Sequence, residues 1–161
     1  MMQLPIIKTA PEKIIVGQRL EMSLLENKTS ALWKAFGPRR KEIANTSCRG
    51  SYSIQVYDEG FLKQEFSPTT SFYKWAGVEV QNTLKIPEEM EVLRIPAGKW
   101  AVFQYQGVTS GFYKMAQYIY EEWLPNSEYQ LDHRPHFEYM PPDYLGPMHP
   151  EATEEVWIPI K

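Results

Sequence analysis

The sequence predicts an α+β fold made of two copies of a βαββ unit, whose antiparallel strands carry two helices on one face. Three observations lead there. The hexapeptides Thr29-Ser30-Ala31-Leu32-Trp33-Lys34 and Thr109-Ser110-Gly111-Phe112-Tyr113-Lys114 share one pattern (Thr, Ser, small, large apolar, aromatic, Lys) and lie 80 residues apart in a chain of 161. The same offset lays residues 14–24 on residues 94–104, two strand-like stretches that each carry a small and a basic residue near the start. Downstream, Gly77-Val78-Glu79-Val80 falls close to Glu155-Val156-Trp157-Ile158 at nearly that offset. Self-similarity at half the chain length signals a duplicated unit, with pseudo-repeats at about 10–82 and 88–161 inside one domain spanning 1–161.

The first copy opens with a strand over residues 12–25, where β-branched residues and alternation dominate. Asn27 or Thr29 then caps a helix to Phe36, and Gly37-Pro38 stops it. Residues 52–57 alternate as a strand, Asp58-Glu59-Gly60 forms a turn, residues 65–70 are loop, and residues 71–80 return as the next strand. In the second copy, residues 90–95 lead into a strand over 99–106, with Pro96-Ala97-Gly98 as a bend or bulge. Thr109 or Ser110 caps a longer helix to Trp123, with Pro125 just past its end. Phe112, Met115, Ile119 and Trp123 make one apolar stripe on that helix, the face expected to meet the sheet. Residues 136–140 and 154–160 form the closing hairpin across a Pro-rich loop. Two helices on one face leave the other face open, and the groove between related halves is the natural ligand site.

Composition removes several functions. With 17 basic and 20 acidic residues the net charge is −3, and the only basic cluster is Arg39-Arg40-Lys41 with Arg49 nearby, so nucleic acid is not an expected partner. The single Cys48 forms no internal disulfide, and no run reaches the ~18 apolar residues of a membrane span. The expectation is a cytoplasmic monomer without cofactor or metal. His133, His136 and His149 have no Cys or clustered carboxylate to complete a metal site, and no phosphate-loop, dinucleotide or serine-hydrolase motif is present. Charge is unevenly shared: residues 1–80 carry a net of +3 and residues 81–161 a net of −6, and the acidic half also holds many of the aromatics, including Trp100, Tyr105, Tyr139 and Trp157. Acid and ring faces together suit an organic cation.

The run Arg94-Ile95-Pro96-Ala97-Gly98-Lys99-Trp100-Ala101-Val102-Phe103, then Gly107, Tyr120-Glu121-Glu122-Trp123-Leu124-Pro125, Pro135-His136-Phe137-Glu138-Tyr139 and Val156-Trp157-Ile158-Pro159-Ile160, resembles the GyrI-like effector-binding family. That family includes gyrase-inhibitory-protein-like domains and the drug-sensing domains of bacterial AraC- and MerR-type regulators. The resemblance covers essentially the whole chain and is strongest from Arg94 onward. It implies a concave sheet that binds amphipathic, often cationic, small molecules beside a buried acid. Regulators of this type carry a helix-turn-helix segment before the effector domain. Here the first strand starts near residue 12, so a stand-alone module is expected.

By the resemblance, Glu138 in the Phe-Glu-Tyr segment is the pocket acid. A carboxylate inside a strand is costly if buried alone, so it must be exposed, paired, or waiting for a cation. On the last strand Glu155 and Trp157 share a face, offering a second anion and a wall. Tyr139, Trp100, Trp75, Tyr73 and Tyr105 complete the expected ligand-binding set. If Glu138 is unpaired, its replacement by Gln costs no stability. The leading function is non-catalytic capture of lipophilic cations. Two alternatives stand beside it. One is hydrolysis of electrophilic toxins, with Glu138 as general base and Tyr105 or Tyr139 positioning the substrate. The other is a protein-binding role against a basic partner, gyrase or a separate regulator.

Overall fold

The computed structural model describes residues 3–58, 60 and 67–161. The chain runs β1 (Ile6–Ala10), β2 (Lys13–Met22), α1 (Thr29–Phe36), a 3-10 segment (Gly37–Glu42), β3 (Ser51–Val56), β4 (Phe72–Glu79), β5 (Glu91–Ile95) and β6 (Gly98–Gln106). A 3-10 turn (Thr109–Gly111) then leads into α2 (Phe112–Tyr118), a π-helical turn (Ile119–Trp123) and α3 (Leu124–Asn126), before β7 (His136–Met140) and β8 (Thr153–Ile160). The strands form one antiparallel sheet in the order β1-β6-β8-β7-β3-β4-β2-β5. The fold is the expected α+β sheet with two helices.

Most elements sit where alternation puts them, although Thr109 and Ser110 fall in a 3-10 turn before α2 and make no side-chain cap bond. Asn27 Oδ1 accepts the N–H of Thr29 at 3.0 Å, so the Asx side chain closes the start of α1. Three expectations change. β1 was not foreseen, because its residues pair with β6 through the backbone and most of their side chains stay exposed. Pro125 does not follow the second helical stretch but lies within its last turn, Leu124–Asn126. Pro96-Ala97 is not a bulge between collinear strands, because β5 pairs with β2 and β6 with β1 and β8. Of the expected turn at 58–60 and loop at 65–70, residues 59, 65 and 66 lie outside the described residues.

The order of the strands forces the sheet to curl. β1 and β2 stand six places apart in it, as do β5 and β6, yet each pair is joined by a two-residue link, Pro11-Glu12 or Pro96-Ala97. Six spacings of a flat sheet measure about 29 Å, whereas three Cα–Cα steps reach at most ~11 Å. The two ends must therefore approach each other. Strand crowding at one point is met by Gly17 opposite Gly77: a Cβ on Gly17 would lie 2.0 Å from the Ala76 carbonyl oxygen.

Curling gives the two faces different contents. One cross-strand row reads Arg19, Trp75, Ile54, Phe137, Trp157, Val102, and the next reads Gln18, Ala76, Ser53, Glu138, Val156, Phe103. The first row belongs to the concave side, where Ile15, Tyr52, Ile54, Trp75, Ile95, Trp100, Val102, Phe137 and Trp157 pack into one core. Trp100 meets Phe137 and Trp157 with ring centroids 5.1 and 5.7 Å away, and Lys8 of β1 and Lys13 of β2 both lie over Trp157, at 5.5 and 5.3 Å. Each buried aromatic of this kind stabilises the fold by about 1.5–3 kcal/mol. The second row belongs to the convex side. There Leu32 and Phe36 of α1 pack on Val16, Ala76 and Val78, while Ile119, with the expected stripe of Phe112, Met115 and Trp123, packs on Ala101, Phe103, Val156 and Ile158.

Candidate functional site

Between the two helix-packed patches, the central strands β3 and β7 present Ser53, Gln55, His136 and Glu138 on the convex side, flanked by Lys74 of β4 and Glu154 of β8. Alternation sets this directly, since each of these residues shares parity with the helix-facing row. Among the described residues the buried polar or charged side chains are Ser53, Lys74 and His136, and all three fall on this stretch of the convex side. Three polar residues buried together where the apolar cover parts is the signature of a built site rather than of a core.

Lys74 Nζ lies 3.8 Å from Glu138 Oε1, with the side chains 8% and 15% exposed, and Gln55 Nε2 donates to the same oxygen at 3.0 Å. Tyr120, from the π-helical turn, hydrogen-bonds His136 Nδ1 at 2.9 Å, and the Tyr57 ring meets the imidazole edge-on at 5.0 Å and Phe72 at 5.3 Å. Burial dominates the electrostatics. It lowers Lys74 against the opposing pull of Glu138 and Glu154, and it holds His136 neutral down to about pH 3, helped by His133 and Arg134. The Tyr57 and Tyr120 hydroxyls are pushed well up, first by burial and then by neighbouring groups that include Glu138. Glu154 is raised to about 7, by burial first and the charge of Glu138 second, against the opposing pull of Lys74 and the neighbouring Tyr144. Strongly shifted groups gathered in a cleft are a mark of binding or catalytic sites.

The eight residues named from the sequence do not share one face. Glu138 is in the cleft, and Tyr105 stands on the same side directly across from Glu154, its hydroxyl donating to the Val108 carbonyl at 2.5 Å. Trp157, Tyr139 and Glu155 face the concave side, where with Cys48, Tyr52, Glu79 and Phe137 they line a pocket of about 110 Å³. That pocket is well below the ~300 Å³ at which drug-sized sites begin, and its carboxylates are already engaged: Tyr52 donates to Glu79 at 2.8 Å and Trp157 Nε1 to Glu155 at 3.0 Å. Trp100 and Trp75 are core side chains, 1% and 4% exposed. Tyr73 sits at the rim with the Arg19 guanidinium 4.3 Å from its ring centre. The open concave face expected from the sequence is filled, because curling brings its rows together. Lys74, Tyr57, Tyr120 and Glu154 were missed. A lysine at an inward strand position, in step with Ala76 and Val78, was the available signal for the first.

Two arginines of the local basic cluster are engaged by neighbouring groups. Arg39 pairs with Glu42 at 2.9 Å and Glu89 at 3.2 Å, while Arg40 donates to Ser51 and to the Arg49 and Gly50 carbonyls at 2.6 and 2.9 Å. Among the described residues no helix is long and apolar enough to cross a membrane, and no group of three or more metal-ligating side chains occurs.

Residues 4–161 match the GyrI-like small molecule binding domain. The chain belongs to the GyrI-like family. Within it, this GyrI-like chain is 31% identical over 150 residues to the transcriptional regulator BrlR of Pseudomonas aeruginosa, a match covering 93% of the chain and 53% of the regulator. The chain thus spans about half the length of that relative. Its fold is similar to the crystal structure of the EcmrR C-terminal domain (TM-score 0.71, 16% identity, 100% of this chain and 99% of that one). It is also similar to SAV2435, whose structure is bound to tetraphenylphosphonium (TM-score 0.66, 14% identity, 99% and 94%).

Proposed function

We propose that this GyrI-like domain captures amphipathic organic cations in the cleft between α1 and α2. The carrying observation is the set of half-buried Glu138 and Glu154 around buried Lys74, two carboxylates against one ammonium, walled by Tyr57, Phe72 and Tyr120. Ring faces and tyrosine edges supply apolar contact, and the surplus carboxylate supplies the preference for positive charge. The tetraphenylphosphonium carried by a protein of the same fold supports this ligand class. Glu138, placed by the Phe-Glu-Tyr segment, belongs to the set but does not act alone. Its ammonium partner is Lys74, so the site works as a charge group. Calorimetric titration with tetraphenylphosphonium tests the reading, with neutral triphenylphosphine oxide as control and mass spectrometry of the recovered ligand. The expected result is tighter binding of the cation and unchanged ligand. Equal affinity for both compounds refutes the charge preference, and a water adduct refutes the non-catalytic role.

A further inference from the structure

Of the two carboxylates in the cleft, one already has a cation. Glu138 Oε1 serves Lys74 at 3.8 Å and Gln55 at 3.0 Å, and Lys74 is buried with it, so the pair is close to neutral as a unit. Glu154 differs. It stands on β8 one diagonal step from Glu138, which faces Val156, and it lies opposite Tyr105 of β6. Tyr144 from the β7–β8 loop lies beside it, and among the described residues it has no ion-pair partner within 4.0 Å. We infer that Glu154, not Glu138, is the residue whose charge a bound organic cation balances, and that binding of the cation is therefore exchanged for a proton.

This inference rests on the cation-binding reading above and assigns its specificity. The groups facing Glu154 are Glu138 from β7, Lys74 from β4, Tyr105 from β6 and Tyr144 from the loop. Burial and the charge of Glu138 keep Glu154 half-protonated near pH 7 in the empty cleft. With Glu154 neutral, two carboxyl groups and one ammonium sum to zero, and a monocation finds no counter-charge. With Glu154 ionised, the cleft carries one uncompensated negative charge. A cation admitted below pH 7 thus displaces one proton from the Glu154 carboxyl to solvent, and the O–H bond is the only bond broken. The two tyrosines are raised and keep their protons here, while His136 is neutral throughout, so neither supplies that proton. Lys74, lowered by burial, is the remaining alternative source, and proton release that persists in Glu154→Gln would assign it to Lys74 and overturn the inference.

Calorimetry of tetraphenylphosphonium binding in two buffers of different ionisation enthalpy, at pH 6 and pH 8, is the test. For the unaltered protein the expected result is release of nearly one proton at pH 6 and almost none at pH 8, with affinity about tenfold weaker at pH 6. Glu154→Gln should lose at least tenfold in affinity at pH 8 and become insensitive to pH. Binding without proton release, or unchanged affinity in Glu154→Gln, overturns the assignment to Glu154 and leaves cation binding standing. Absence of tetraphenylphosphonium binding at both pH values overturns the cation-binding reading and this inference together. The proton count needs no variant, so a misfolded substitution cannot rescue the idea.

Discussion

Replacing Glu138 by Gln keeps the shape of the side chain and still offers an oxygen to Gln55, but strips Lys74 of the carboxylate 3.8 Å away. Removing one partner of a buried ion pair costs about 3–5 kcal/mol, since the remaining charge is left desolvated. Two features narrow the range here. Glu154 still attracts Lys74, which trims the lower end. Lys74 can also shed its proton, and taking an amine from its ordinary value of 10.5 to neutral at pH 7 costs about 1.4 kcal/mol per unit, or about 5 kcal/mol in all, which caps the upper end. The expected loss is about 2–4 kcal/mol, a fall in melting temperature of roughly 5–15 °C for a chain of this size. The sign with pH follows from Lys74. Its folded-state pKa is lowered, so between that value and 10.5 the unfolded chain binds more protons, and stability rises with pH. The deficit of Glu138→Gln should therefore shrink between pH 7 and pH 9, and adding Lys74→Met should restore most of it at pH 7. Thermal melts by circular dichroism at both pH values measure this. A melting temperature equal to that of the unaltered protein at pH 7 would refute the buried pair and return Glu138 to the unpaired acid suggested by the strand alone.

Three further outcomes are expected. Because Glu154 is raised to about 7, the folded state holds its proton while the unfolded chain has lost it, so its contribution to stability, up to about 3 kcal/mol, is present below pH 4.5 and lost as pH rises to 7; urea titrations should show this fall in the unaltered protein and not in Glu154→Gln. Gly17→Ala drives a methyl to 2.0 Å from a backbone oxygen that cannot retreat, and should cost more than about 3 kcal/mol or prevent folding, read as lost soluble yield and melting temperature; a normal melt would show that the two strands can part. At 150 mM salt this 161-residue chain should not shift duplex DNA in a gel, since its net charge is −3 and Arg39 and Arg40 are spent on Glu42, Glu89 and local carbonyls; a retained shift would show that the exposed Lys41 and Arg49 suffice for a nucleic-acid surface.

Local signals explain which parts of the fold were legible. β2, β3, β4, β7 and β8 alternate or carry β-branched runs, α1 is bounded by Asn27 and Gly37-Pro38, and the second helix has an apolar stripe, so each announces itself within its own residues. The curl does not, because it follows from two links that carry the chain between opposite ends of the sheet, and Pro96-Ala97 reads the same in sequence whether the next strand continues or departs. Glu138 was legible as the acid of a Phe-Glu-Tyr segment. Its pairing with Lys74 was not, since 64 residues separate them and β3 lies between their strands. The aromatics were read as walls of an open face for a related reason: helices cover one side, and only the curl of the sheet, invisible in local sequence, packs Trp75, Trp100 and Trp157 together on the other.

The way the edge strands are placed also bears on how the protein assembles. β1 precedes β2 in the chain but is hydrogen-bonded to β6, and β5 precedes β6 but is hydrogen-bonded to β2, so each half of the molecule wears the other half's leading strand as a strap. A nick between β4 and β5 would leave two polypeptides, each missing one edge and each holding the strand that completes the other. Neither piece should fold alone, whereas co-expressed pieces should co-purify and regain the melting profile of the intact chain. The protein is in this sense a covalently joined, strand-swapped pair, and the β3–β7 seam that carries Ser53 and Glu138 is clasped at both outer ends by the same two short links.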